Sequence, residues 1–180
     1  AKDIPAPTID PKLAAELLEK SGWVMQDGIR TKDGEPLRLR IVTRKNSDFE
    51  AALQTIVGQW RKLGVEIDSV IFDTTDATVS FATDILQRRD YDVLIDELVI
   101  GADPDVFAYW HTKGLLNFAN YTNQTSDDAL TSARTRSEAV LRSVKYLAFA
   151  KQWLADVPAI GLYQTNYVYA HSKTARTIEH

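Results

Sequence analysis

Four short groups of residues carry side chains suited to chemistry. Arg44-Lys45-Asn46 sets a guanidinium, an ammonium and an amide in consecutive positions, and Asp96-Glu97 sets two carboxylates side by side. Asp103-Pro104-Asp105 brackets a proline with two more carboxylates, and Trp110-His111 joins an indole to an imidazole. Arg44 and Asn46 suit an anionic or polar ligand, because a planar guanidinium donates to carboxylate or phosphate oxygens as a fork. The same run also reads as a solvated turn. Glu97 or Asp96 suits an amine, and Glu97 alone also reads as a solvated carboxylate. Asp103-Pro104-Asp105 reads first as architecture, with aspartate capping a helical turn whose first position proline pre-forms. As a metal site it supplies too few oxygens at that spacing. Trp110 offers a stacking surface with a polar edge, and the pair Trp110-His111 reads equally as an ordinary packed or surface pair. His111 as a general base needs a nucleophile and an orienting carboxylate, and no local spacing provides them.

The elements around these groups follow from hydrophobic period and punctuation. Asp10-Pro11 starts a helix with Leu13, Leu17 and Leu18 on one face, and Gly22 ends it. The stretch 27–42 carries two Asp-Gly turns and then Leu37, Leu39 and Ile41 alternating with Arg38 and Arg40, the pattern of a half-buried strand. Thr43 to Asp48 is expected as the loop at that strand's carboxyl end. Leu53, Ile56, Trp60 and Leu63 recur from Phe49 at helical spacing, and Gly64 closes the helix. A second strand runs from Val65 to Ile71. Thr74 to Arg89 is expected as a helix with Val79, Ala82 and Leu86 inward. The stretch from Asp90 to Ile100 is expected as a buried strand, cut off by Gly101 and Pro104 and feeding a structured loop.

Asp105 to Trp110 is a short helical turn. The run from Leu115 to Asp128 reads as an ordered polar-aromatic loop, with Asn117, Asn120 and Asn123 bonding backbone groups. Ser126-Asp127-Asp128 is expected to cap a helix to Arg136, and a longer helix runs from Ser137 to Asp156, stopped by Pro158. Ala159 to Ala170 is expected as a final strand, with Tyr163 and Tyr167 lining a groove or packing in the core. Trp23 and Trp60 read as packing residues. Strands alternating with helices make a mainly parallel sheet covered on both faces the economical arrangement, in an α/β class.

Composition bounds the rest. The chain has 180 residues, 44% of them hydrophobic and 26% charged, so it is neither disordered nor low-complexity. A formal charge of −4 gives no cationic footprint for nucleic acid. Cysteine is absent, which excludes disulfides, thiolate catalysis and cysteine-based metal sites. No apolar run reaches the roughly 20 residues of a membrane span, and the first residues do not read as a signal peptide.

The ordered series of short motifs resembles one family: the extracytoplasmic solute-binding proteins of oligopeptide- and dipeptide-type ABC transporters (family 5), in their large C-terminal lobe. Leu17-Leu18-Glu19-Lys20-Ser21-Gly22-Trp23 looks like the family's leucine pair and Gly-Trp helix end. Asp27-Gly28-Ile29 and Lys32-Asp33-Gly34-Glu35-Pro36-Leu37 resemble the turn into its first lobe strand, and Leu63-Gly64-Val65-Glu66-Ile67 its helix-to-strand junction. Asp90-Tyr91-Asp92 and Asp103-Pro104-Asp105 flank the next strand as in the family. Asn117, Tyr121, Asn123 and Asp127 to Leu130 follow its later loop and helix, and Asp156-Val157-Pro158-Ala159-Ile160-Gly161-Leu162 its approach to the closing strand. Together these span about residues 10 to 175.

The resemblance implies a lobe of the type II periplasmic-binding-protein-like class over 1–180, with 1–10 an entering linker and 171–180 an exiting tail. It implies a non-enzymatic chain without a cofactor. The partners implied are a small solute or peptide, a missing N-terminal lobe of the same protein, and an ABC permease. The location implied is extracytoplasmic, with lipid anchoring of the full-length parent open. In peptide-binding relatives an aspartate three positions before the Asp-Pro pair meets the peptide's amino group. That position is Ile100 here, which offers no charge-assisted bond, and the usual Gly-Trp of the motif is Asp96-Glu97. The ligand-facing residues implied for this lobe are Arg44, Asn46, Glu97, Leu98, Ile100, Asp103 and Trp110. Two other readings compete. A small α/β hydrolase or transferase would use Glu97, Asp103 and His111, yet neither GxSxG nor GxxxxGK followed by Ser or Thr occurs. A protein-interaction domain would show a large exposed apolar patch.

Overall fold

A computed structural model describes residues 8–101, 103–164 and 166. Helix α1 (Pro11–Lys20) begins as its sequence demands, with the Asp10 side chain accepting from the Leu13 N–H at 2.9 Å. A three-stranded antiparallel meander follows, β1 (Val24–Gln26), β2 (Ile29–Lys32) and β3 (Glu35–Pro36). The two Asp-Gly pairs are its turns: φ is 50° and 87° at Asp27-Gly28, and 53° and 87° at Asp33-Gly34. Positive φ at both central residues is what a two-residue hairpin loop needs to match strand twist. Arg30 in β2 is only 2% exposed. Its guanidinium donates to the carbonyls of Leu63 and Trp23, each at 2.8 Å, and pairs with Glu19 at 3.4 Å. This one buried side chain ties α1, the meander and the following helix together.

The second sheet is parallel, in the order β5-β4-β6, with β4 (Arg38–Arg44) between β5 (Glu66–Phe72) and β6 (Val93–Ile95). Successive strand residues face opposite sides. Ile41 and Val42 are both 0% exposed, so both faces of β4 are covered. On one face α2 (Ser47–Lys62) packs Leu53 and Val57 onto Ile41 and Ile95, with Phe49, Ile56, Trp60, Ile67 and Val93 around them. At the amino ends of the strands, Arg38 pairs with Glu66 and Arg40 with Asp68, each at 2.7 Å, and Asp92 accepts from the Arg40 N–H at 2.7 Å. The architecture is the expected mixed α/β lobe with helices on both sides of a mainly parallel sheet.

The remaining elements form a helical unit: α3 (Phe107–Trp110), α4 (Gln124–Arg134) and α5 (Ala139–Asp156). Ala129, Leu130 and Phe149 make its centre, with Val106, Phe107, Trp110, Tyr146 and Trp153 packed against them. Gly114 lets the loop after α3 fold back on it, since a Cβ there would lie 2.4 Å from the Ala108 carbonyl oxygen. Among the described residues no helix is long and apolar enough to cross a membrane.

Several sequence expectations are corrected. Thr43 and Arg44 belong to β4, and Ser47 and Asp48 to α2, so the loop at this sheet end is only Lys45-Asn46. The expected helix from Thr74 reduces to a π-helical turn, Ala82–Gln87, that buries Ile85 rather than Val79 or Ala82. Its missing amino-terminal half is taken by two side-chain turns in which Asp73 binds the Thr75 N–H and hydroxyl, and Asp76 those of Thr78. Local aspartate bonds of this kind compete with helix. The strand expected to reach Ile100 stops at Ile95, and Leu98, Val99 and Ile100 are 44%, 78% and 51% exposed. Ile100 therefore does not pack in the core. Asn123, not Ser126-Asp127-Asp128, caps α4, accepting from the Ser126 N–H at 3.1 Å, and α4 ends at Arg134. Residues 159–164 and 166 form no strand, and Tyr163 is exposed. The rest of the strand expected there, with Tyr167, lies outside the described residues.

Candidate functional site

The chain leaves β4 for β5 on one side and then crosses to β6 on the other. With right-handed crossovers the two connections run on opposite faces. The strand order thus reverses between β4 and β6, and the crevice of an open α/β sheet lies beyond the carboxyl ends of the strands at such a reversal. Arg44 is the last residue of β4, and Asp96 follows the last residue of β6. The register that pairs Thr43 with Ile95 puts these two side chains level. Arg44 Nη2 donates to Asp96 Oδ1 at 2.6 Å, and Glu97 Oε1 stands 3.7 Å from the same nitrogen. Asp96 is 18% exposed and Glu97 64%.

Aromatic rings close the flanks. The guanidinium carbon of Arg44 lies 5.7 Å from the ring centres of both Phe49 and Phe81. Phe72, the last residue of β5, meets Phe81 edge to face at 5.5 Å. A cation over phenyl faces is attracted by the ring quadrupole. Arg44 Nε is buried and has no hydrogen-bond partner among the described residues. Leaving such a donor unmade costs about 1–3 kcal/mol. The nitrogens Nε of Arg142 and Nε1 of Trp153 share that condition in the helical unit.

On the β5 side, Lys45 Nζ pairs with Asp73 at 2.7 Å. That bond, with those from Thr75, holds the Asp73 carboxyl well below the usual carboxylate range, and Asp73 in turn raises the Lys45 ammonium. Asn46 Oδ1 accepts from the N–H groups of Asp48 (2.9 Å) and Phe49 (3.3 Å) as the cap of α2. Counting Arg44, Lys45, Asp73, Asp96 and Glu97, the crevice carries one net negative charge.

The structure thus brings together Arg44, Asp96 and Glu97, with Asn46 following Arg44 closely in the chain. Leu98 and Ile100 continue from Glu97 as exposed chain outside any helix or strand. Asp103 and Trp110 belong to the helical unit: Asp103 Oδ1 accepts from Arg142 Nη2 at 2.6 Å, and Trp110 meets Trp153 edge to face at 5.1 Å. Asp105 caps the Phe107 N–H at 3.1 Å and pairs with Arg134 at 2.8 Å. Both carboxylates of the Asp-Pro-Asp motif therefore face arginines. His111 is buried, stacked on Phe107 at 3.9 Å. Its Nδ1 accepts from the Lys113 N–H at 2.9 Å, which leaves the neutral ring's proton on Nε2, 3.4 Å from the Thr131 hydroxyl. Asp127 Oδ1 stands 3.8 Å from Nδ1, and neither Glu97 nor Asp103 is among the partners of His111. Phe49 heads the helical period of Leu53, Ile56 and Trp60, whereas Phe72 and Phe81 carry no spacing signal. Phe72 is marked only as the last residue of β5, and Phe81 only as the residue that precedes the π-helical turn.

No protein-family model matches the sequence, and no curated protein does. Solved structures do. The oligopeptide-binding protein AppA from Bacillus subtilis, in complex with a nonapeptide, is similar over 88% of this chain and 32% of its own, with a TM-score of 0.75 at 24% identity. NikZ from Campylobacter jejuni, in complex with Ni(L-His), is similar over 88% and 32%, with a TM-score of 0.74 at 25% identity. A periplasmic oligopeptide-binding protein from Thermotoga maritima, with mannohexaose bound, is similar over 83% and 30%, with a TM-score of 0.67 at 19% identity. The chain spans about a third of the length of these proteins, and it has the fold of that part of them.

Proposed function

We propose that this chain is one lobe of an extracytoplasmic solute-binding protein of the oligopeptide- and dipeptide-type ABC-transporter family, and that it binds without catalysis. The observation that carries this is the placing of the crevice. An ion pair set beside two phenyl rings sits at the strand-order reversal of a fold shared with a third of AppA and NikZ. Arg44, Asp96 and Glu97, with the exposed stretch Leu98 to Ile100, are this lobe's contribution, and a second lobe of a longer chain supplies the opposing wall. Enclosure between two surfaces is how such a cleft buries most of a ligand. Closure is a population shift, and the solute drives it only by binding the closed arrangement better. The loaded protein then presents its solute to a membrane permease.

The relatives carry a peptide, a nickel–histidine complex and a hexasaccharide, so the solute is to be found by titration. Calorimetry on the longer protein with di- and oligopeptides, oligosaccharides and metal chelates is expected to give saturable binding to one of these classes, lost or weakened at least about tenfold in Asp96→Ala. Heat-silent titrations across all classes, together with turnover of an ester or phosphoester substrate, would sink the reading.

A further inference from the structure

Around the Arg44 guanidinium stand two phenyl rings, one largely buried carboxylate and one exposed carboxylate. These are the groups that recognise an organic cation: ring faces for the charge and hydrophobic rim, carboxylates for the N–H donors. The cation now filling this enclosure belongs to the chain itself. It fills it imperfectly, since Nε is shut away from water with no acceptor while Nη2 holds Asp96. A side chain 35% exposed on a flexible stem can leave for solvent without losing hydration of its charge. The enclosure it leaves would carry two carboxylates and no cation.

We infer that the crevice beyond β4 and β6 is a recognition site for a guanidinium- or ammonium-bearing ligand, kept closed in the unliganded chain by Arg44 acting as a tethered surrogate of that ligand. An incoming cation takes the place between Phe49 and Phe81, binds Asp96 and Glu97, and releases Arg44 outward. The crevice's single net negative charge favours a cationic ligand. The inference deepens the proposed function and rests on it for the biological role, but not for the chemistry of the enclosure.

The test is chemical rescue on the 180-residue chain. Arg44→Ala removes a fragment equivalent to N-ethylguanidinium. That ion, at millimolar concentration and constant ionic strength, is expected to raise the Tm of Arg44→Ala and to shift the amide signals of Asp96 and Glu97 saturably. Its affinity should exceed that for wild type by at least about tenfold, and Arg44→Ala/Asp96→Asn should lose it. N-ethylurea, neutral and of the same shape, should do nothing. Equal binding of the urea, survival of binding in the double variant, or no binding to Arg44→Ala each overturns the inference. Saturable acetate binding to wild type that depends on Arg44 also overturns it, because Arg44 would then face the ligand directly. If Arg44→Ala does not fold, Arg44→Met with free guanidinium replaces it. Agmatine on wild type, with Asp96→Asn as the control, decides the matter if neither folds. A failed rescue beside a positive titration of the longer protein rejects the cation enclosure and spares the solute-binding reading. A successful rescue beside silent titrations does the reverse.

Discussion

Around β4, three strands and α2 interlock Ile41, Leu53, Val57 and Ile95 into one apolar core, and the charged groups stand at the two ends of the strands. Around α4 and α5, the apolar centre is smaller, Ala129, Leu130 and Phe149, and a polar network reinforces it. Tyr121 is the hub of that network. Its hydroxyl lies 2.7 Å from both the Ser126 hydroxyl and the Asp156 carboxylate, and Asn117 holds its backbone on both sides. Burial pushes the Tyr121 phenol up to about 12. Asp156, accepting from Tyr121, Gln152 and Asn123, is lowered.

Polar tethers span the two regions. Arg89 donates to the Asn117 carbonyl and the Asn120 side chain, Tyr91 to the Phe118 carbonyl and Tyr109 to the Val99 carbonyl, all at 3.0–3.1 Å. Apolar cores resist local opening, whereas regions joined by a few exposed bonds open separately. The crevice lies on the rigid side, so its geometry is set by β-sheet register. Asp103 and Trp110 lie on the other side of those tethers.

Leu53→Ala and Leu130→Ala break this comparison most directly. Each removes a fully buried side chain and is expected to cost about 2–5 kcal/mol. In native-state hydrogen exchange Leu130→Ala should lower protection of α4 and α5 amides while leaving β4 nearly unchanged. A matching loss in β4 would show one cooperative unit. The next effect concerns the caps. Asn123→Ala and Asn46→Ala each remove an N-cap, at about 1 kcal/mol by urea denaturation. The Asn46 variant should also weaken any ligand titration, because it frees the first turn of α2 that holds Phe49 beside Arg44. Equal ligand affinity in that variant would separate the cap from the crevice.

The tethers come third. Tyr91→Phe deletes one bond and should cost about 0.5–1.5 kcal/mol. It should raise exchange at Phe118 and its neighbours without altering Trp60 fluorescence. The smallest effect is with acid. The Asp156 carboxyl is lowered in the fold, so its stabilising contribution is complete above the ordinary carboxylate range and fades as pH falls through the folded value. Below about pH 5 the wild-type Tm should therefore fall more steeply than that of Asp156→Asn, and parallel slopes would remove Asp156 from the acid response.

Local chemistry made much of this legible in advance. Asp10-Pro11, the Asp-Gly pairs, Gly64 and the 3.6-residue period of α2 act within one turn of the chain, and each stands where the sequence places it. The roles of Asn117 and Asn123 were legible for the same reason, since short amide side chains reach nearby backbone groups, whereas Asn120 accepts from the distant Arg89 side chain and not from its own loop. The region from Asp73 to Ser80 was not, because helical spacing of apolar residues says nothing about aspartates that satisfy the backbone locally first. Nor was the end of β6, where strand propensity continues through Leu98-Val99-Ile100 but pairing does not.

For the site, the sequence determined which charges exist beyond β4 and β6: Arg44 at one strand end, Asp96 and Glu97 at the other. Only the tertiary structure decided that they meet. The crossing from β5 to β6 sets residues 52 apart in register, so Arg44 finds Asp96 at 2.6 Å. The same crossing brings in Phe81, and it leaves Asp103 and Trp110, near neighbours of Glu97 in the chain, to the other half of the fold. Spacing along a chain fixes contacts within a turn or a strand. Contacts between strands follow from which edge each strand takes, and the burial of whole faces decides that.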